Sequence, residues 1–190
     1  GQAMPSDTPA KTRILLVRHA DRYDYANRDV WRSRCERHGL ELTDPPLSSL
    51  GHEQARATAH ALKELRPDLI LCSPYLRVLQ TAQPLAHVCS LDLCVDDALA
   101  EFRHDPAKMP PLAARLAVFP EVHDAYEPMM RLTVPGSESV EDYFRRMLLL
   151  ARELPRRHPD QTVALFSHAA SVALVAALTE SAVCAAGTFA

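Results

Sequence analysis

The chain has 190 residues, enough for one domain with a core of ordinary size, and its 47% apolar and 24% charged residues suit a globular protein. A formal net charge of -3, with no basic run or basic face, excludes a general affinity for nucleic acid or for anionic membranes. No apolar run approaches the length that crosses a bilayer, and residues 1–11 are polar, without the charged-then-apolar pattern of a leader.

Gly1-Gln2-Ala3 ahead of Met4 reads as an expression scar, so residues 1–12 are expected to form a disordered tail and residues 13–190 the folded domain. Residues 13–18 are a short apolar run suited to a strand buried on both faces. Residues 23–46 are an excursion without clear periodicity. Over residues 50–65, Ala55, Ala59, Leu62 and Leu65 recur at helical spacing, with Ser48 or Ser49 as the cap. Residues 69–72 form a second apolar strand. Ser73-Pro74 then offers a capping hydroxyl and a first-turn proline for a helix running to about Val88. Residues 91–95 alternate as a more exposed strand would. Residues 101–136 are rich in proline and read as an inserted loop with short helices. Ser139 and Asp142 can cap a helix reciprocally, with Val140, Phe144, Met147, Leu148, Ala151 and Leu154 as its apolar stripe. Residues 162–166 form another buried strand and residues 171–178 a last helix. Residues 183–189 could add one more strand just before the sequence ends at Ala190, and whether the natural chain extends further is left open.

Strand and helix alternate, which predicts an α/β fold, a three-layer α/β/α sandwich with a mainly parallel central sheet. Cys35, Cys72, Cys89, Cys94 and Cys184 are odd in number and lack metal-ligand pairing, which suggests free thiols in a reducing compartment, cytoplasmic or nuclear. His19, the segment Ser73 to Arg77, and Ser167-His168 each follow a predicted strand. In a parallel sheet these carboxyl ends open onto one crevice. Arginine suits phosphate there, because its planar fork grips two oxygens and stays charged. Arg77 also falls in a first helical turn, where free N–H groups favour an anion. A neutral histidine held in one tautomer can act as a nucleophile. The helical histidines His52, His60 and His87 lack the pairing of a zinc site, and Ser167 and Ser171 have no acid partner for a hydrolase triad.

Leu16-Val17-Arg18-His19-Ala20-Asp21-Arg22 resembles the arginine-histidine-glycine signature of the histidine phosphatase (phosphoglycerate-mutase-like) superfamily, with alanine for glycine. Asp44-Pro45-Pro46-Leu47-Ser48-Ser49-Leu50-Gly51-His52-Glu53-Gln54-Ala55 is similar to its D-x-P-L-S/T-x-x-G-x-x-Q-A segment. Ser73-Pro74-Tyr75-Leu76-Arg77-Val78-Leu79-Gln80-Thr81-Ala82 is similar to S-P-x-x-R-x-x-Q-T-A. Pro135-Gly136-Ser137-Glu138-Ser139 and Ser167-His168-Ala169-Ala170-Ser171 resemble two later segments, all in family order. Within the family, Asp21-Arg22-Tyr23-Asp24 and the absence of a Trp-Asn pair resemble the suppressor-of-T-cell-receptor-signalling type branch and a phosphatase-like transcription-factor subunit more than the mutases.

The resemblance implies a phosphomonoesterase that needs no metal and no cofactor. His19 would form a phosphohistidine, with Arg18, Arg22, Arg77, His168 and Ala169 around the phosphate. Glu101 would be the proton donor, with Asp21 or Asp97 as alternatives. The partner would be a phosphorylated small molecule or a phosphoprotein, and a homodimer is left open. Phosphoglycerate mutase activity and a non-catalytic phospho-ligand or protein-interaction module of the same fold remain the rival readings.

Overall fold

The computed structural model describes residues 11–102, 105–130 and 138–179. The expected scar, most of the tail, the Pro135-Gly136-Ser137 stretch and the candidate strand at 183–189 lie outside them. Four strands, β1 (Arg13–Arg18), β2 (Leu69–Cys72), β3 (Leu93–Val95) and β4 (Thr162–Ser167), form one sheet in the order β1-β4-β2-β3. Among the described residues every pairing between these strands is parallel. The α/β class with a parallel central sheet is therefore as expected.

Side chains along a strand point alternately to opposite faces, and here the alternation sorts the core into two layers. Leu15, Val17, Ile70, Cys72, Ala164 and Phe166 pack on one side with Ala59 and Leu62 of α3 (Ser49–Lys63) and Val78, Leu79, Ala82 and Leu85 of α4 (Leu76–Cys89). Ile14, Leu16, Leu71, Val163 and Leu165 pack on the other with Tyr143, Met147, Leu150 and Leu154 of α6 (Val140–Arg157) and Val175 of α7 (Ala169–Thr179). Among the described residues no helix is long and apolar enough to cross a membrane.

The excursion at 23–46 holds α1 (Tyr23–Ala26) and α2 (Arg28–His38), the latter anchored by buried Trp31 and Cys35 and ended by Gly39 at φ 63°. The insertion after β3 holds two single 3-10 turns and α5 (Leu112–Val118), close to the loop-and-short-helix expectation.

Three helical details differ from expectation. α4 begins at Leu76, so Ser73 is not its cap. Instead the Asp44 carboxylate, from a distant loop, accepts the Leu76 N–H at 2.8 Å. α7 begins at Ala169 rather than at residue 171. The buried face of α6 is rotated from the apolar stripe: Val140, Phe144 and Leu148 are exposed, whereas Tyr143, Met147, Leu150 and Leu154 are buried together with Arg146. The rotation is set by Arg146, whose guanidinium reaches the carbonyls of Ala98 and Ala100 at 2.8 and 2.9 Å and the carboxylate of Glu138 at 2.7 Å. A buried guanidinium demands such partners, and their position fixes how the helix faces the sheet.

Candidate active site

The site forms where β1, β2 and β4 end together. The backbone N–H of His19 still donates to the Ser167 carbonyl at 2.9 Å, so the residue leaves β1 in register with its neighbour. Its ring Nδ1 lies 2.8 Å from the Ala20 carbonyl. A carbonyl only accepts, so Nδ1 carries the proton and the lone pair is on Nε2. Burial, with added repulsion from Arg77, His168 and Arg18, pushes the His19 pKa down to about 3, and the ring is neutral at ordinary pH.

The loop carrying His19 is held from three sides. Ala20 N–H donates to Thr81 Oγ1 at 3.1 Å, and Asp21 N–H donates to Gln54 Oε1 at 2.9 Å. Ser48 donates its hydroxyl to the Asp21 carboxylate at 2.5 Å and its N–H to the Asp21 carbonyl at 3.0 Å. The Ser48 oxygen also accepts the Gly51 N–H, which caps α3. A Cβ on Gly51 would sit 2.2 Å from the Asp21 carbonyl oxygen, so only glycine lets the helix come this close to the loop that carries His19. The Ala20 methyl packs with Leu47 and Ala55 in a small buried cluster beside this loop.

His168 is fully buried. Its Nε2 contacts Ser73 Oγ at 2.9 Å, and its Nδ1 faces both Arg77 Nη2 and Glu101 Oε2 at 3.2 Å. Burial pushes its pKa down to about 4 despite the neighbouring carboxylate. With the ring neutral, Nδ1 accepts from Arg77 and Nε2–H donates to Ser73, since a guanidinium can only donate. The His19 and His168 rings meet edge to face, 5.4 Å between centroids.

Arg77 is buried to 1% exposure. It donates from Nη1 to the Thr43 carbonyl at 3.1 Å, lies 3.5 Å from Asp44 and 3.6 Å from Glu101, and stacks over the Tyr75 ring at 4.5 Å. Burial raises the Asp44 pKa to about 6 even with Arg77 beside it. Arg22 is chelated by Asp24 at 2.6 Å and lies over the Tyr25 ring. Its charge acts on both Arg77 and Glu101. Arg18 ends β1 and donates to the Tyr25 hydroxyl at 3.4 Å. Ala169 opens α7, whose first-turn N–H groups have no helical partners of their own.

Glu101 is the carboxylate grouped with the two histidines: one ligand atom from each of His19, Glu101 and His168 falls within 4.8 Å of the others. Burial alone would raise its pKa, but the hydrogen bond and charge of His168, which takes a proton in acid, together with the charge of Arg77 and the Phe102 N–H, outweigh this and hold it near 2. Asp21, one alternative donor, is instead occupied by Ser48, and Asp97 sits in the 3-10 turn after β3.

Residues that the sequence reading left without a site role also converge here. Asp44, Thr43 and Tyr75 surround Arg77, Ser73 holds His168, and Arg146 reaches the Glu101 carbonyl at 3.3 Å. The signal for Asp44 and Ser73 was their place in the matched segments. Arg146 carried none beyond being a charge on an otherwise amphipathic helix.

A sequence model of the histidine phosphatase superfamily (branch 1) matches residues 14–185. Phosphoserine phosphatase 1 of Hydrogenobacter thermophilus is 28% identical over 157 residues, covering 82% of this chain and 70% of that protein. The probable phosphoglycerate mutase GpmB of Yersinia enterocolitica is 27% identical over 139 residues, covering 71% and 59%. Among solved structures, the ecdysone phosphate phosphatase of Bombix mori in complex with tungstate superposes with a TM-score of 0.66 at 20% identity, covering 88% of this chain and 76% of that one. A mycobacterial glucosyl-3-phosphoglycerate phosphatase in complex with VO3 has a TM-score of 0.56 at 27% identity, covering 89% and 81%. With the strand-end pocket, the shared fold and a family match over most of its length, this chain belongs to the histidine phosphatase superfamily.

Proposed function

We propose that the protein is a phosphomonoesterase that works through a phosphohistidine on His19. The observation that carries this reading is the tautomer of His19. Its Nδ1 proton is tied to the Ala20 carbonyl and its ring is kept neutral, which leaves Nε2 as an unprotonated nucleophile among arginines.

In the first step an Nε2–P bond forms as the P–O ester bond breaks, and the departing oxygen takes a proton from Glu101. Water then attacks phosphorus, gives a proton to the Glu101 carboxylate, and releases phosphate and free His19. Arg18, Arg22, Arg77 and the Ala169 N–H, with His168 once the phosphoryl charge draws a proton onto its Nδ1, hold the three non-bridging oxygens, and their charge and placement supply the stabilisation that phosphoryl transfer demands. Family membership implies phosphorylated substrates, and both a small molecule and a phosphoprotein fit a pocket whose polar groups converge on the phosphoryl end. The Asp24 clamp on Arg22 supports the suppressor-of-T-cell-receptor-signalling type branch, because both residues lie in the segment that sets that branch apart.

The mutase reading has the GpmB similarity behind it. Screening peptide, sugar and nucleotide phosphates with wild type and His19→Ala, alongside phosphoglycerate, separates the cases. Release of phosphate that requires His19 is the expected result. Phosphate moved between positions of phosphoglycerate without net release would establish the mutase, and equal turnover by wild type and His19→Ala would remove the nucleophile assignment.

A further inference from the structure

Two imidazoles and one carboxylate are a donor set with which proteins hold Zn2+ and neighbouring first-row divalent ions. His19, His168 and Glu101 provide that set, their ligand atoms lying within 4.8 Å of one another. Metal-bound histidines ordinarily give their second ring nitrogen to a carbonyl or other acceptor, which fixes ring and tautomer. Both rings here are already held so: His19 Nδ1 by the Ala20 carbonyl and His168 Nε2 by Ser73 Oγ. The other nitrogen of His19 is left for a shared ligand, and that of His168 faces Glu101 and the Arg77 guanidinium.

The charges of the pocket do not forbid a cation. Arg22 is paired with Asp24 and Arg77 with Asp44, so with Glu101 there are as many carboxylates near the pocket as there are arginines among Arg18, Arg22 and Arg77.

We propose that the phosphate-free pocket binds one Zn2+ through His19, His168 and Glu101, and that the bound ion inhibits the protein by occupying the nucleophile. Zinc ligands stand about 2.0–2.2 Å from the ion, so the three groups draw together by small rotations. Glu101, at 31% side-chain exposure, has the most freedom to move. Arg77 withdraws from His168 toward Asp44 and the Thr43 carbonyl, which it already contacts. A nitrogen of His19 that holds a metal cannot attack phosphorus, so the ion and the substrate exclude each other. Zinc is thus an inhibitor here and not a cofactor.

This inhibition rests on the phosphatase reading, whereas the binding does not, and the test keeps them apart. Titrating the phosphate-free full chain with Co2+ reads binding by the visible absorption of low-coordinate cobalt, with no turnover involved. One band saturating at one equivalent, displaced by Zn2+ and weakened by inorganic phosphate, is expected. It should vanish in His19→Ala and in the partly exposed Glu101→Gln, and persist in His60→Gln on the outer face of α3. Hydrolysis of an aryl phosphate by wild type should lose most of its rate at one equivalent of Zn2+ and regain it with a chelator. No band, or a band that survives either pocket substitution, overturns the site; an active enzyme indifferent to bound Zn2+ overturns the inhibition. A band in a protein without phosphatase activity would leave the metal site standing and remove the function proposed above.

Discussion

In the proposed mechanism Glu101 faces two opposing demands. In the phosphate-free pocket its partners hold the carboxyl near 2, as an anion, yet protonating a leaving oxygen needs the acid. A bound phosphoryl group resolves this, because its negative charge engages Arg77 and repels the carboxylate, and both effects raise the affinity of Glu101 for a proton. The first step is therefore expected to run best at mildly acidic pH, where His19 is still neutral; a rate climbing steadily into alkaline solution would oppose this. Glu101→Gln should slow alkyl phosphates by about 10²-fold or more while affecting activated aryl phosphates much less, since general acid assistance matters most for poor leaving groups. Equal losses for both, measured as kcat, would move the acid elsewhere. His19, Arg18, Arg77 and His168 were legible in the sequence because each stands at a strand end or in a helix start, where local pattern dictates position. Ser73 was misread as a helix cap for the same reason: its local setting favours capping, and only the chain fold reveals His168 opposite its hydroxyl. Asp44 capping α4 from 32 positions away was beyond local pattern altogether.

Helix α3 works as a brace for the loop that carries His19, the proposed nucleophile, rather than as a bearer of chemistry. Gln54 and the helix cap Ser48 hold Asp21, and Gly51 lets the two backbones touch. Gly51→Ala would press a methyl against the Asp21 carbonyl oxygen, so α3 must back away from the loop. Overpacking of this kind costs about 1–3 kcal/mol, and kcat should fall along with Tm because His19 is two residues away. Unchanged Tm and kcat would show that the contact is slack. The apolar periodicity found α3 correctly, since nothing polar competes for its buried face. It misjudged α6, where Arg146 is drawn inward by the carbonyls of Ala98, Ala100 and Glu101 and turns Val140, Phe144 and Leu148 outward. Hydrophobic spacing contains no record of a buried guanidinium and its acceptors.

Burying neutral histidines in the pocket links the stability of the entire chain to pH. His19 and His168 have pKa values near 3 and 4 when folded, against 6.5 for an ordinary histidine, so the unfolded chain binds protons that the folded one refuses. Their contribution is fully present above that ordinary value and drains as pH falls through the interval below it. Asp44 acts in the opposite sense, because its pKa is raised from 3.8 to about 6 and the folded chain gains its proton first. Two histidines outweigh one aspartate. From roughly pH 7 to roughly pH 5.5 the net loss is about 2 kcal/mol, or about 5 °C in Tm, and a Tm flat over that interval would mean that the histidines are not held neutral. The parallel α/β architecture was legible from the alternation of short apolar runs and amphipathic helices. The site was legible as a meeting of strand ends, while its closing residues come from the two inserted segments, whose irregular sequences predict no position. All of this chemistry turns on whether phosphorus is ever bonded to His19. Quenching the protein in alkali, where phosphohistidine survives, during turnover of a radiolabelled phosphomonoester should leave label on the peptide containing His19 and none in His19→Ala; hydrolysis by wild type with no trapped label, or label retained by His19→Ala, would contradict it.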